Sequence, residues 1–134
     1  MAVQWSTAVR NALLDAIETT IGTAAKLQIR TGAAPVNCAA SDTGTLLVEF
    51  SLASDWADAA SGGSKALAAV TTTAAVAGGT AAHYRFKDSG GTTCHGQGTV
   101  TATGGGGDLT LDNTSIASGQ DVAITGWTLT APGA

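Results

Sequence analysis

Large apolar side chains are scarce in this chain. Leu, Ile, Val and Phe together fill 25 of 134 positions, and only six residues are aromatic. Charge is scarce as well: six Lys and Arg stand against ten Asp and Glu, for a net charge of −4 at pH 7. Six scattered, outnumbered cations exclude the basic footprint that nucleic-acid binding needs. No apolar run approaches the ~20 residues of a membrane-spanning helix. The start, Met1-Ala2-Val3-Gln4-Trp5-Ser6, has neither a basic segment nor a following apolar one, so no secretory leader is expected. Cysteine occurs twice, at Cys38 and Cys94, without the C-x-x-C spacing of a zinc or redox motif. One long-range disulfide and two reduced, partly buried thiols both remain open.

What the chain does have is small residues. Ala, Gly, Thr and Ser make up 75 of the 134 positions, so the 44% hydrophobic content is largely alanine. The length is that of one domain. Residues 6–21 read as its one helix. Ser6 is placed to cap it, and Val9, Leu13, Ile17 and Ile21 recur every fourth residue. That stripe is expected to pack on a sheet, with Arg10, Asp15 and Glu18 off it. Gly22 is a natural stop. Residues 1–5 form an arm ahead of the helix, and residues 26–134 form the β-rich remainder.

From Lys26 onward the hydrophobic period is two. Leu27 and Ile29 mark a first strand, and Leu46, Val48, Phe50 and Leu52 a second. A weaker strand spans residues 65–73. In residues 80–87, Ala82, Tyr84 and Phe86 face one way, and His83, Arg85 and Lys87 the other, on a polar surface. Asp88-Ser89-Gly90-Gly91 is a hairpin turn leading into residues 92–103. The four glycines 104–107 read as a loose loop. Residues 108–112 and 121–130 are the last strands. Seven or eight strands separated by turn signals, behind one helix, predict a mainly β fold. The expected form is an antiparallel β-sandwich or jelly-roll-like domain with an N-terminal α-helix.

Candidate chemistry is sparse. Pairing across the Gly-Gly turn would bring His83 and His95 together near Asp88 and Cys94, as a metal or acid–base set, but alternation puts Cys94 and His95 on opposite faces. Asp42, Asp55, Asp58, Asp108 and Asp112 lack the D-x-D-x-D-G run of a calcium loop. The carboxylates Asp15, Glu18, Glu49, Asp55 and Asp58 lack the aromatic lining of a sugar-cleaving cleft. The glycine loop has no Lys-Ser/Thr and no strand-to-helix context for phosphate. No catalytic residue, no metal ligand and no cofactor are therefore assigned, and the chain is expected not to be an enzyme. Val3 and Trp5, ahead of the helix, suit anchoring into a neighbour's pocket.

Several runs carry a resemblance: Asn11-Ala12-Leu13-Leu14-Asp15-Ala16-Ile17, then Leu27-Gln28-Ile29-Arg30-Thr31-Gly32-Ala33-Ala34-Pro35, then Asp42-Thr43-Gly44-Thr45-Leu46-Leu47. Others are His83-Tyr84-Arg85-Phe86-Lys87-Asp88, residues 91–100, Leu109-Thr110-Leu111-Asp112-Asn113 and Val122-Ala123-Ile124-Thr125. In these the chain resembles small virion proteins of tailed bacteriophages. The resemblance implies a non-enzymatic structural component of the particle, assembled in the host cytoplasm. An accessory head protein that cements or decorates the capsid leads. A neck, collar or tail component is the first alternative. A carbohydrate- or receptor-binding fibre module is the second, for which Trp56 and Tyr84 are the aromatics at hand. The expected partners are further copies of the chain and other virion proteins such as the major capsid protein, with neither nucleic acid nor membrane. A thin core also predicts association, since few large side chains must offset the ordering entropy of a Gly- and Thr-rich chain.

Overall fold

A computed structural model describes residues 3–134. The chain is mainly β, with 39% strand and 11% helix, in a β-sandwich-like fold behind one N-terminal helix. The helix α1 is Thr7–Ile21, and the strands follow in chain order. They are β1 Lys26–Thr31, β2 Leu46–Ser51, β3 Ser64–Ala66, β4 Thr73–Ala74, β5 Gly79–Lys87, β6 Cys94–Ala102, β7 Leu109–Leu111, β8 Ser115–Ile116, β9 Asp121–Val122 and β10 Ile124–Thr130. The main sheet runs β2-β1-β5-β6-β7-β10-β3, with β8 attached to β5, and β4 pairs with β9 apart from it. Its pairs are antiparallel except β6 with β7.

The sheet curls on itself. Trp127 lies on β10, three strands from β5 in the sheet order, yet its indole N–H donates to the Tyr84 hydroxyl at 3.0 Å. Its ring centroid is 5.2 Å from that of Phe86. Trp56 completes the cluster, 5.0 Å from Phe86, and donates its own indole N–H to the Gly22 carbonyl. Four of the six aromatics thus form one nucleus, with Leu27, Ile29, Val48 and Phe50 continuing it along β1 and β2. Concentrating the few large rings in one place lets an alanine-rich chain bury enough apolar area for a core.

Two expected strands are broken. Residues 65–73 hold only β3 at one end and β4 at the other; just past β3, the Leu67 and Ala68 N–H groups donate to the Trp127 and Trp56 carbonyls. The last strand divides at Ala123 into β9 and β10, which pair with different neighbours.

The helix begins and ends as its sequence indicates. The Ser6 hydroxyl accepts from the Val9 N–H, and Gly22 closes it at φ +91°. Its orientation corrects the expected stripe. Arg10, Leu14 and Ile21 are buried, while Val9 is 41% and Leu13 50% exposed. The physical reason is a polar seam. Arg10 donates through Nε and Nη2 to the Ala131 carbonyl. Asn11 accepts from the Gly63 N–H, Asp15 from the Ala60 N–H and Glu18 from the Ala57 N–H. The Lys65 ammonium bridges Asp15 and Glu18 at 2.8 and 2.9 Å. Each unmet backbone donor in the 57–63 segment would carry a desolvation cost, so the helix turns its polar side to them.

The glycine loop is not loose. β7 pairs parallel to β6 at Val100↔Leu109, so residues 103–108 must bring the chain straight back. Gly104 and Gly106 take φ of +84° and +82°. A Cβ at Gly105 or Gly107 would meet Thr101 atoms at 2.7–2.9 Å. The Gly107 N–H donates to the Thr101 hydroxyl and the Gly105 N–H to the Ala102 carbonyl. Gly107→Ala is therefore expected to cost about 1–3 kcal/mol by overpacking against the Thr101 backbone. Gly104→Ala, with open space around it, carries only the left-handed backbone penalty of roughly 1–2 kcal/mol. Urea melting of the two variants checks this: a Gly107→Ala protein as stable as wild type refutes the tight return.

Candidate functional site

The strands β2, β1 and β5 present an apolar face to the aromatic nucleus and a polar one on the other side. The polar face carries Glu49, Gln28, Arg30, His83, Arg85 and Lys87, set side by side by the registers Gln28↔Glu49, Gln28↔Arg85 and Arg30↔His83. It was expected to lie open to water. Instead, residues 32–44 fold back over it, and Arg30, His83, Arg85 and Lys87 are all buried. His83 Nδ1 bonds the Gly32 carbonyl at 2.7 Å, and Gln97 donates to the Pro35 carbonyl at 2.7 Å. The Arg85 guanidinium donates to the Asn37, Cys38 and Ala40 carbonyls. Residues 32–44 supply few side chains that could fill a core, so backbone carbonyls capping buried cations hold them in place.

Asp42 is the hub. Its carboxylate pairs with Arg30, Arg85 and Lys87 at once. Burial pushes its pKa up, but hydrogen bonds from Lys87 and Arg85 and the charge of Arg30 outweigh that and hold it below its ordinary 3.8. A second chain of bonds runs from Arg30 to Gln28 and on to Glu49 at 2.7 Å. Sequence reading placed Asp42 only among calcium candidates. The available signal was the alternation of Arg30, Arg85 and Lys87 with core residues on strands that prove to be covered on both sides.

Beside this network the thiols of Cys38 and Cys94 face each other, with the sulfurs 2.9 Å apart. Both side chains are half-buried. Burial, and then the hydrogen bond with Cys94, raise the Cys38 pKa above 9.0, against the lowering influence of Arg85. The two cysteines, Asp42, Arg85, Lys87 and Thr92 border an open depression of about 730 Å³.

The other candidates do not converge. His83 pairs with Thr99, four residues beyond His95, so the two histidines stand roughly 13 Å apart along the strand. His83 is buried and His95 exposed, which dissolves the proposed pair and corrects the view of both as surface residues. Asp108 binds the Thr99 backbone and hydroxyl, and Asp15 and Glu18 bind Lys65. Among the described residues, no three His, Cys, Asp or Glu side chains come together to hold a metal. Trp56 and Tyr84 are buried in the nucleus and cannot stack on a sugar. Val3 and Trp5 are 67% and 50% exposed, but the arm is not free, because the Trp5 N–H donates to the Gly133 carbonyl at 2.7 Å. Met1 and Ala2, the start of that arm, lie outside the described residues.

Five of the chain's six cations, Arg10, Arg30, Lys65, Arg85 and Lys87, are buried. Only Lys26 among the Lys and Arg residues is left partly exposed, facing an acidic exterior. The outward side of α1, formed by Ala8, Val9, Ala12, Leu13, Ala16 and Thr20, bears no charge. A shallow groove of about 260 Å³ runs beside it, lined by Leu13, Ala16, Ile17, Thr20, Ile21 and His95. No family model matches the chain, and neither a curated protein nor a solved structure matches it.

Proposed function

We propose that the protein is a non-enzymatic structural component of a phage particle, and that it decorates or cements the capsid through repeated contacts with copies of itself and with the major capsid protein. The observation that carries this reading is the uncharged, apolar outer side of α1, where Val9 and Leu13 are exposed, with Val3 and Trp5 exposed as well ahead of the helix. A helix ordinarily turns its charged residues to water. Here Arg10 and Glu18 are engaged inward, Asp15 is half exposed but tied to Lys65 and the Ala60 N–H, and Val9 and Leu13 are left outside. A contiguous exposed apolar patch marks a protein contact. An exterior nearly without cations suits contact with protein and not with nucleic acid. The charged side chains within the fold hold structural pairs, which favours a scaffold over a catalyst.

The test separates folding from association. Val9→Asp with Leu13→Asp is expected to keep the wild-type melting temperature within a few degrees, since both side chains face water. It is expected to abolish self-association in sedimentation and to lower binding to particles at least tenfold. Retained association with the doubly charged helix would overturn the reading. Labelled protein imaged on intact particles distinguishes a head position from a neck or tail one.

A further inference from the structure

We propose that Cys38 and Cys94 are a built oxidation site: they form an intramolecular disulfide that fastens residues 32–44 to the start of β6. The two residues are 56 positions apart in sequence, yet their sulfurs touch at 2.9 Å. Neither is placed by chance packing of a loose segment. Cys94 is fixed by its pairing with Lys87. Cys38 is fixed by its own carbonyl, which accepts from Arg85 at 2.9 Å, and by the neighbouring Asn37 and Ala40 carbonyls on the same guanidinium. Bond formation therefore needs little backbone movement, which is the usual obstacle to joining two cysteines.

The surroundings supply what the chemistry requires. Thiol–disulfide exchange proceeds through a thiolate; burial disfavours that form at Cys38, and the charge of Arg85 is the influence that favours it. Arg85 is buried beside the pair, and its Nε–H has no acceptor among the described residues. Burial alone would lower the Arg85 pKa, but Asp42 and Cys94 outweigh it and keep the guanidinium charged. A thiolate at this position gives that donor an acceptor. The adjoining depression, bordered by both cysteines, admits a small oxidant.

The co-reactant is a low-molecular-weight disulfide such as oxidised glutathione. One cysteine loses its proton, and its thiolate attacks a sulfur of the small disulfide. A mixed disulfide forms and one small thiolate leaves. The second cysteine, deprotonated in turn, attacks the protein sulfur of that mixed disulfide. The Cys38–Cys94 bond forms and the second small thiolate departs. The protein has lost two electrons and two protons, and the small disulfide has become two thiols.

The bond would fasten the cover over Asp42 and its three cations. If the proposed function holds, the chain assembles reduced in the cytosol and is locked once the particle leaves it. The chemistry itself does not depend on that reading and is measured on the isolated full-length protein, without particles.

The experiment incubates the protein with oxidised glutathione, blocks residual thiols and measures intact mass and thermal unfolding. Expected is a monomer lighter by two hydrogens, with no blocked thiol and no retained glutathione. Its melting temperature should rise by something on the order of 10 °C, reversed by dithiothreitol. Cys38→Ser and Cys94→Ser should each hold one glutathione and show no such rise. Two blockable thiols in the treated wild type, a stable glutathione adduct on it, or disulfide-linked dimers would each overturn the proposal.

Discussion

Asp42→Asn is expected to destabilise the protein by about 1–3 kcal/mol, the cost of leaving buried donors short of an acceptor, since the three cations are buried while Asp42 itself reaches solvent. The substitution keeps the shape and removes the charge. Arg30, Arg85 and Lys87, themselves buried, would then repel one another beside the open depression that Asp42 borders. Since a domain of this kind is stable by only about 5–15 kcal/mol, that loss is a large share of the total. The melting temperature should fall by roughly 5–10 °C. Wild type carries the same dependence in its acid response. The Asp42 pKa is depressed in the fold, so its contribution is complete above the unfolded value of 3.8 and is lost as pH falls through the lower folded value. Asp42→Asn should lack this part of the acid transition. Thermal melts of both proteins at pH 7 and down to pH 2 check it. A variant melting within a degree or two of wild type at pH 7 would show that the cations do not need Asp42.

Leu14→Asp is expected to abolish folding, whereas Leu13→Asp, one position away, is expected to leave it nearly untouched. Leu14 is buried and Leu13 is half exposed. Burying a carboxylate without a partner costs several kcal/mol, and the lost Leu packing adds about 2–5 kcal/mol. Together these match or exceed the stability of a thin-cored domain. Far-UV circular dichroism and melting of the two purified variants decide the matter. Equal stability of the pair, or a worse outcome for Leu13→Asp, would place the helix the other way round.

The helix shows how far the residues alone could be read. Ser6, the apolar residues spaced by four and Gly22 set its existence and its ends, because caps and helical period are local properties. The same spacing suggested that Val9 and Leu13 face inward. It could not reveal that the segment 57–63 offers backbone donors needing Asn11, Asp15 and Glu18, nor that Lys65 would be buried between two of them. Likewise the alternation of β5 separated Tyr84 and Phe86 from His83, Arg85 and Lys87 correctly. Calling the second set solvent-facing failed because residues 32–44, which look like an ordinary turn-rich loop, return across it.

The composition and periodicity by themselves determined a mainly β chain, a capped N-terminal helix, the core strands around Leu27, Ile29, Val48 and Phe50, and the scarcity of charge. Those follow from local propensity and from two-residue or four-residue repeats. Only the tertiary structure decided that one Asp serves three cations, that Cys38 meets Cys94, that four glycines make a specified return, and that Val9 and Leu13 face outward while Ile17 and Ile21 pack on the core. All but the glycine return, whose partners lie within nine residues, depend on contacts between residues far apart in sequence. There, an unmet buried donor or charge costs more than an exposed Val or Leu, and the fold settles the polar groups first.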